Sequence, residues 1–374
     1  MASDEHRLGS HMELYPNEQL TIRRGIPCLT WSLNGQKERP LALFLTGGGH
    51  LGRIAYGHPA CDPHDFLAHW LNKAGYNLLV ASPPIEHPLF ATAVPELDIT
   101  SWTQVLIDLA KEKIEEWGLE PSLVAIAWSM SGRFATRLRV AASANGLELE
   151  AFVALAATPP IPGLSPINLK QTPLGKGGFR RFTRGSAESG GGAPISQNWL
   201  RSLSEQDALE GRVIIPPKVY LLEFVGNSPI NLHGEALRWR KGRLEHSYQE
   251  AVNDVLAMEY REAPLCASIV PTAASDRHHA LTDNANWTFF NANVVSARAT
   301  SRPSSTLNEL QQLVASLPRR LCRNAVGGHF FFVGAKGASE TAKAIRDLHS
   351  ELLAVETELH PKSPRLTGDL KHQK

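Results

Sequence analysis

The sequence predicts an α/β protein built on a mostly parallel sheet flanked by helices, with a second unit inserted late in the chain. Three observations predict it. Apolar runs at Leu41–Leu45 and at residues 76–82, 123–127 and 151–157 alternate with segments whose apolar residues recur at helical spacing. Such alternation implies right-handed βαβ units, whose strands are buried on both faces and read as continuous apolar runs. Two turn-forming stretches, Thr46-Gly47-Gly48-Gly49-His50 and Trp128-Ser129-Met130-Ser131-Gly132, stand directly after two of those runs. Ligands of parallel sheets bind at the carboxyl ends of the strands, so both stretches fall where chemistry is done. Regularity then breaks at about residue 160 and the strand-and-helix pattern resumes after about residue 265.

The bounds agree. A chain of 374 residues can bury a large core, as two average domains or one large α/β domain with an insertion. A formal net charge of +1 argues against a dedicated nucleic-acid binder, and no run of about 18 apolar residues offers a membrane span. Residues 1–12 are polar, end in Gly-Ser-His-Met, and read as an expression tag outside the fold. No secretory leader is visible behind them. Four scattered cysteines (Cys28, Cys61, Cys266, Cys322) form no C-x-x-C pair, so reduced thiols in a cytoplasmic protein are expected.

In order along the chain, residues 20–31 alternate loosely and suit edge strands. Leu41–Leu45 is a buried strand running into the triple glycine. Asp62-Pro63 is an N-cap with proline at the first helical position, followed by Phe66, Leu67, Trp70 and Leu71 on one stripe. Residues 76–82 form a strand closed by Pro83-Pro84. Residues 102–117 form a helix with Val105, Leu106, Leu109 and Ile114 inward. Residues 123–127 are the strand before Ser129, 133–144 its helix, and 151–157 a further strand ending at Pro159-Pro160. Residues 170–194, rich in glycine with Arg180-Arg181, read as a mobile loop. The apolar run 219–225 fits either the insertion or the main sheet. Residues 248–261 are a helix, 289–297 a strand, 306–317 a helix, 320–326 the last strand and 338–353 the closing helix. The tail from 361 to 374 is polar.

The stretch Ala127-Trp128-Ser129-Met130-Ser131-Gly132 carries a resemblance. A strand that turns sharply into a helix needs small residues two before and two after a serine lifted clear of the sheet. Ala127 and Ser131 hold those places, where glycines are commoner, and Gly132 follows. The sequence thereby resembles the α/β-hydrolase superfamily. His329, behind Gly327-Gly328 at the end of the last strand, stands where that family keeps its histidine in the order serine, acid, histidine. The resemblance implies an α/β-hydrolase core over 13–160 and 266–360 with a lid over 161–265. Ser129 would be the nucleophile and His329 the base. The N–H groups of Met130 and of Gly48 (or Gly49) would hold the oxyanion, and Gly49 and Trp128 would lie against substrate. The usual place for the acid, residues 296–301, has no carboxylate; Asp276 is the acid named instead, with Asp283, a different acid or a Ser-His dyad as the alternatives.

Other groupings carry less. A phosphate loop is disfavoured at the triple glycine because neither G-x-G-x-x-G nor G-K-[ST] follows. Cys61, His64 and His69 do not make a metal site, because His64 and His69 stand five residues apart on a helix, about 500° around its axis, and do not share a face. Arg277-His278-His279 reads as surface. The resemblance implies hydrolysis of an ester, thioester or related acyl bond of a small molecule, with no cofactor and no metal. The alternatives are a non-hydrolytic reaction on the same fold (lyase, acyl transfer or cyclisation) and a non-catalytic binding protein. The oligomeric state is left open.

Overall fold

The computed structural model describes residues 13–165, 167, 177–182, 195–301 and 303–360. Eight strands form one sheet: β1 (Glu18–Arg23), β2 (Ile26–Leu33), β3 (Leu41–Leu45), β4 (Asn77–Ser82), β5 (Ser122–Trp128), β6 (Glu148–Leu155), β7 (Cys266–Pro271) and β8 (Cys322–Ala325). Their order is β1-β2-β4-β3-β5-β6-β7-β8. The first two make an antiparallel hairpin at one edge, with β2 also antiparallel to β4. From β4 to β8 every neighbour is parallel. β3, β4 and β5 are buried along their whole length, which is why they read as unbroken apolar runs.

Helices fill the crossovers: α1 (Arg53–Tyr56), α2 (Leu67–Lys73), α3 (Ile99–Trp117), α4 (Ala135–Ala144), α5 (Ile195–Glu210), α6 (Pro217–Glu223), α7 (Tyr248–Val255), α8 (Arg277–Arg298), α9 (Leu307–Leu321) and α10 (Ala335–Leu359). Alternate side chains of the central strands, Ala42, Phe44, Leu78, Val80 and Ile126, face α1 and α2. The intervening ones point the other way. Helix α3 starts on Asp98, whose carboxylate accepts the Ser101 N–H at 2.9 Å, and stops on Gly118 at φ 60°. Asp254 at the end of α7 accepts the N–H groups of Ile99 and Thr100 and pairs with the buried Arg238 at 2.8 Å, which ties α7 to the start of α3.

Between β6 and β7 lie α5, α6, α7, a hairpin of Leu237–Arg240 with Arg243–His246, and a two-residue bridge of Phe179–Arg180 with Ser228–Pro229. Residues 224–227 are zipped onto the loops after β3 and β4. Leu51 N–H donates to Phe224 O at 2.9 Å, Gly226 N–H to Gly49 O at 3.0 Å, and Glu86 N–H to Asn227 O at 2.8 Å.

Three expectations change. Residues 289–297 are not a strand but the second half of α8. Its buried residues there, Trp287, Phe290, Asn291, Val294, Val295 and Arg298, recur at a 3–4 residue period that the Phe-Phe and Val-Val pairs disguise. The run 219–225, left open between the insertion and the main sheet, is not part of the sheet: Pro216-Pro217 starts α6, which carries it to Glu223, and Tyr220 and the capping Phe224 are buried. His64 and His69 are not on one helix. Residues Pro63–Asp65 form a separate 3₁₀ turn, Phe66 is extended, and the two rings meet at 4.3 Å between centroids. The one-helix argument against their meeting fails there. Most of the stretch 170–194, the tag and the tail lie outside the described residues.

Candidate active site

Ser129 follows β5 with φ at +57°, a left-handed conformation that a non-glycine residue adopts at a cost. The strand before it is fully buried, and a 3₁₀ turn, Ser129–Phe134, leads into α4. Crowding at the turn explains the small residues. A Cβ on Gly132 would lie 2.4 Å from the Thr158 carbonyl oxygen in the loop after β6, and one on Gly47 would lie 3.1 Å from Ser129 Cβ. Ser131, where a glycine is usual, is buried, and its hydroxyl donates to the Thr46 carbonyl. The larger residue is accommodated because it finds a backbone acceptor on the neighbouring loop.

His329 and Asp276 come from the next two strand ends. Asp276 lies beyond β7 at the start of α8, and His329 lies beyond β8 after Gly327-Gly328. Asp276 Oδ2 is 2.8 Å from His329 Nδ1, which fixes the proton on that nitrogen and leaves Nε2 unprotonated in the neutral ring. Burial pushes the Asp276 carboxyl up. The His329 imidazole, its hydrogen bond, and the rings of His279 and His278 outweigh burial and hold it below the usual carboxylate range. The other acid candidate, Asp283, is buried against a different partner: both its oxygens lie 3.0 Å from His279 Nδ1. Burial raises its carboxyl above the ordinary value.

Trp128 ties the serine turn to the histidine loop. Its Nε1–H donates to the His329 carbonyl at 3.1 Å, and its ring packs 5.3 Å from the His329 ring and from Phe330 and Phe332. It is wholly buried, in the core rather than on an open substrate wall. Among the described residues Ser129 Oγ makes no hydrogen bond, as is common before substrate draws catalytic groups together.

The triple-glycine loop is held from below and covered from above. His50 is buried, with Nδ1 3.1 Å from the Gly48 carbonyl and Nε2 2.7 Å from the Tyr220 hydroxyl. The carbonyl can only accept, so Nδ1 carries the proton and Nε2 accepts from tyrosine. Burial drives this ring down to about 3, so it stays neutral. Above the loop, a Cβ on Gly48 would meet His233 Cε1 at 2.9 Å, Met130 Sδ at 3.5 Å and the Phe182 ring at 3.5 Å, and one on Gly49 would meet Phe182 at 2.5 Å. Phe182 stacks on Trp199 at 4.8 Å. The Gly48 N–H donates to no backbone carbonyl among the described residues.

Three loops thus stand beyond the carboxyl ends of parallel strands: a serine on a strained turn after β5, an aspartate after β7 and a histidine after β8, in that chain order. This is an α/β-hydrolase fold. No family model matches the chain, and no curated protein does. Among solved structures, it is similar to a soluble variant of monoglyceride lipase from Saccharomyces cerevisiae at 11% identity and TM-score 0.49, covering 95% of this chain and 99% of that one. It is similar also to the thioesterase domain of the curacin biosynthetic pathway at 12% and 0.38, covering 88% and 98%. A third likeness is to a carboxylesterase structure from the ammonia-oxidizing Nitrososphaera gargenis at 12% and 0.41, covering 91% and 99%. The assignment of the α/β-hydrolase fold rests on strand order and the serine turn, not on these likenesses.

Of the residues expected from the sequence, Ser129, Met130, Gly48 and Gly49 lie together, and Asp276 and His329 are hydrogen-bonded through loops that Trp128 joins to the serine turn. Ser131 was expected only as a small motif residue, and His50, Phe182, His233 and His279 were not anticipated at the site. Only His50, directly behind three glycines, carried a local signal. His279, read as surface, has a side chain only 13% exposed.

Proposed function

We propose that the protein is a serine-dependent hydrolase of an ester, thioester or related acyl bond. The observation that carries this reading is the Asp276–His329 hydrogen bond, beside a serine on a strained turn at the end of a buried strand. Asp276 holds the imidazole with Nδ1 protonated, and Nε2 takes the proton of Ser129 as its oxygen attacks the acyl carbon. The N–H groups of Met130 and Gly48 receive the developing oxyanion, with Gly49 the alternative to Gly48. Because His50 fixes the Gly48 carbonyl, that loop pays little reorganisation as charge develops. His329 then returns the proton to the leaving group, and water repeats the sequence on the acyl-enzyme. No step needs a cofactor or metal.

We read residues 161–265 as a lid, supported by Phe182 and His233 lying over Gly48 and Gly49. Substrate access then requires this cover to shift, which would bring Gly49 against substrate. The stacked Phe182–Trp199 cover also favours a second reading, acyl transfer or cyclisation, because a site closed by aromatic rings excludes competing water.

Intact mass after treatment with a fluorophosphonate tests the proposal. One adduct is expected on the wild-type chain and none on a folded Ser129→Ala variant. Labelling of that variant, or failure of both a bulky and a small probe on the wild type, overturns it. Product analysis with water and an added amine or alcohol acceptor then separates hydrolysis from transfer.

A further inference from the structure

Among the described residues, one group of three side chains brings metal-ligating atoms together: Asp276, His279 and His329, each offering an atom within 4.8 Å of the other two. Two of them belong to the reaction proposed above. The third, His279, has no part in it, yet its ring lies 5.2 Å from the His329 ring. Its Nδ1 faces both oxygens of Asp283 at 3.0 Å, so Nε2 is the nitrogen left to coordinate. A histidine whose other nitrogen donates to a buried carboxylate is the arrangement that orients and strengthens imidazole ligands of metals.

We propose that Asp276, His279 and His329 form an inhibitory site for a divalent transition cation of the zinc type. Two imidazoles and one carboxylate match the donor preference of zinc rather than of magnesium or calcium, which take oxygen ligands. Zinc bonds of about 2.0–2.2 Å place tetrahedral ligand atoms roughly 3.3 Å apart. Asp276 and His329, now at 2.8 Å, would open by about half an ångström and His279 would close in, changes that side-chain torsions supply. A solvent molecule would complete the shell.

The inhibition follows from proton placement and rests on the proposed serine reaction. A cation on His329 Nδ1 displaces the proton that Asp276 holds there. In the neutral ring that proton moves to Nε2, which then donates instead of accepting and cannot take the proton of Ser129. The cation also occupies the Asp276 oxygen that orients the ring.

Calorimetric titration of zinc chloride into the full chain tests the site without reference to activity. Wild type is expected to bind at this site. His279→Ala should lose that binding, and Asp283→Asn, which keeps all three ligands, should weaken it by about 10–100-fold. Circular dichroism confirms that each variant folds. The rate of fluorophosphonate labelling, each variant compared with its own zinc-free rate, should fall with zinc in wild type, recover with EDTA, and shift in parallel with affinity in the variants. Zinc binding undiminished in both variants overturns the site, and zinc bound at the site without loss of labelling overturns its inhibitory role. A wild-type chain that never labels removes the serine reaction instead, while the calorimetry still decides the site.

Discussion

Two carboxylates lie within hydrogen-bonding distance of two neighbouring imidazoles, and they are not equivalent. Asp276 meets His329 and Asp283 meets His279, so the pairing that the sequence left open is distributed between two dyads. Only the first reaches the histidine proposed as base. Asp276→Asn would present an amide that can stabilise the other tautomer of His329, with its proton on Nε2. Turnover of a reporter ester should therefore fall by on the order of 10³–10⁴, with the fold intact. Asp283→Asn should cost far less in the absence of metal, because it acts on a ring outside the reaction. Equal losses in the two variants would show that the assignment of the acid is wrong. His50 belongs at the same scale. Its ring holds the Gly48 carbonyl, so His50→Ala should lower kcat more than it raises KM, as expected when an oxyanion donor drifts. A change in KM alone would remove His50 from that role.

At the scale of the element, the serine turn is set by close approach. The 3₁₀ turn before α4 lies against the loop after β6, and Gly132 is the point of contact. A Cβ there meets a backbone oxygen at 2.4 Å, which no rotamer relieves. Gly132→Ala should destabilise the protein by about 1–3 kcal/mol in urea denaturation, the range for overpacking a dense site. No loss of stability would mean that α4 has room to move. This crowding was legible in the sequence as a run of small residues around a serine, and β3 to β6 were legible as apolar runs, because both are local patterns with one physical cause. The acid was legible only as a preference for Asp276 over Asp283. Asp276 lies beyond β7 at the start of α8, β8 arrives only after two long helices, and residues 289–297 imitated a strand through paired Phe and Val. The contacts that decide between strand and helix there, Trp287 Nε1–H to the Ala157 carbonyl and Asn291 to Cys266, join parts of the chain more than twenty residues apart. The same distance hid His279, whose role depends on a ring fifty residues later.

Among the described residues, three of the four buried histidines, His50, His87 and His233, are each held neutral by one donor and one acceptor. His50 lies between the Gly48 carbonyl and the Tyr220 hydroxyl. His87 Nε2–H donates to the Leu222 carbonyl at 3.1 Å while its Nδ1 accepts the Leu89 N–H at 3.3 Å, and His233 Nδ1 accepts from Arg180 while Nε2 faces the Ser228 hydroxyl. A second proton on His50 or His233 would turn the accepting nitrogen against its donor, and on His87 against an N–H. Burial accordingly lowers all three, His50 to about 3, His87 to about 4 and His233 well below its ordinary value. Because these folded values lie below the unfolded one, the unfolded chain binds more protons as pH falls through 6.5. Stability is therefore present above that pH and is lost below it, until each folded ring protonates. Each histidine contributes a loss of about 1 kcal/mol between pH 7 and 5.5. His279 works in the opposite sense: burial lowers it, but its bond to Asp283 raises it overall, so it stabilises the fold as pH falls. Urea denaturation at the two pH values should show a net loss of stability on acidification, the lowered rings outweighing His279. His87→Gln can donate to Leu222 and accept from Leu89 without titrating, so it should fold and show a loss about 1 kcal/mol smaller. If the variant retains the full pH dependence, His87 is not one of its sources; if the wild type shows no loss, the histidines are not held neutral.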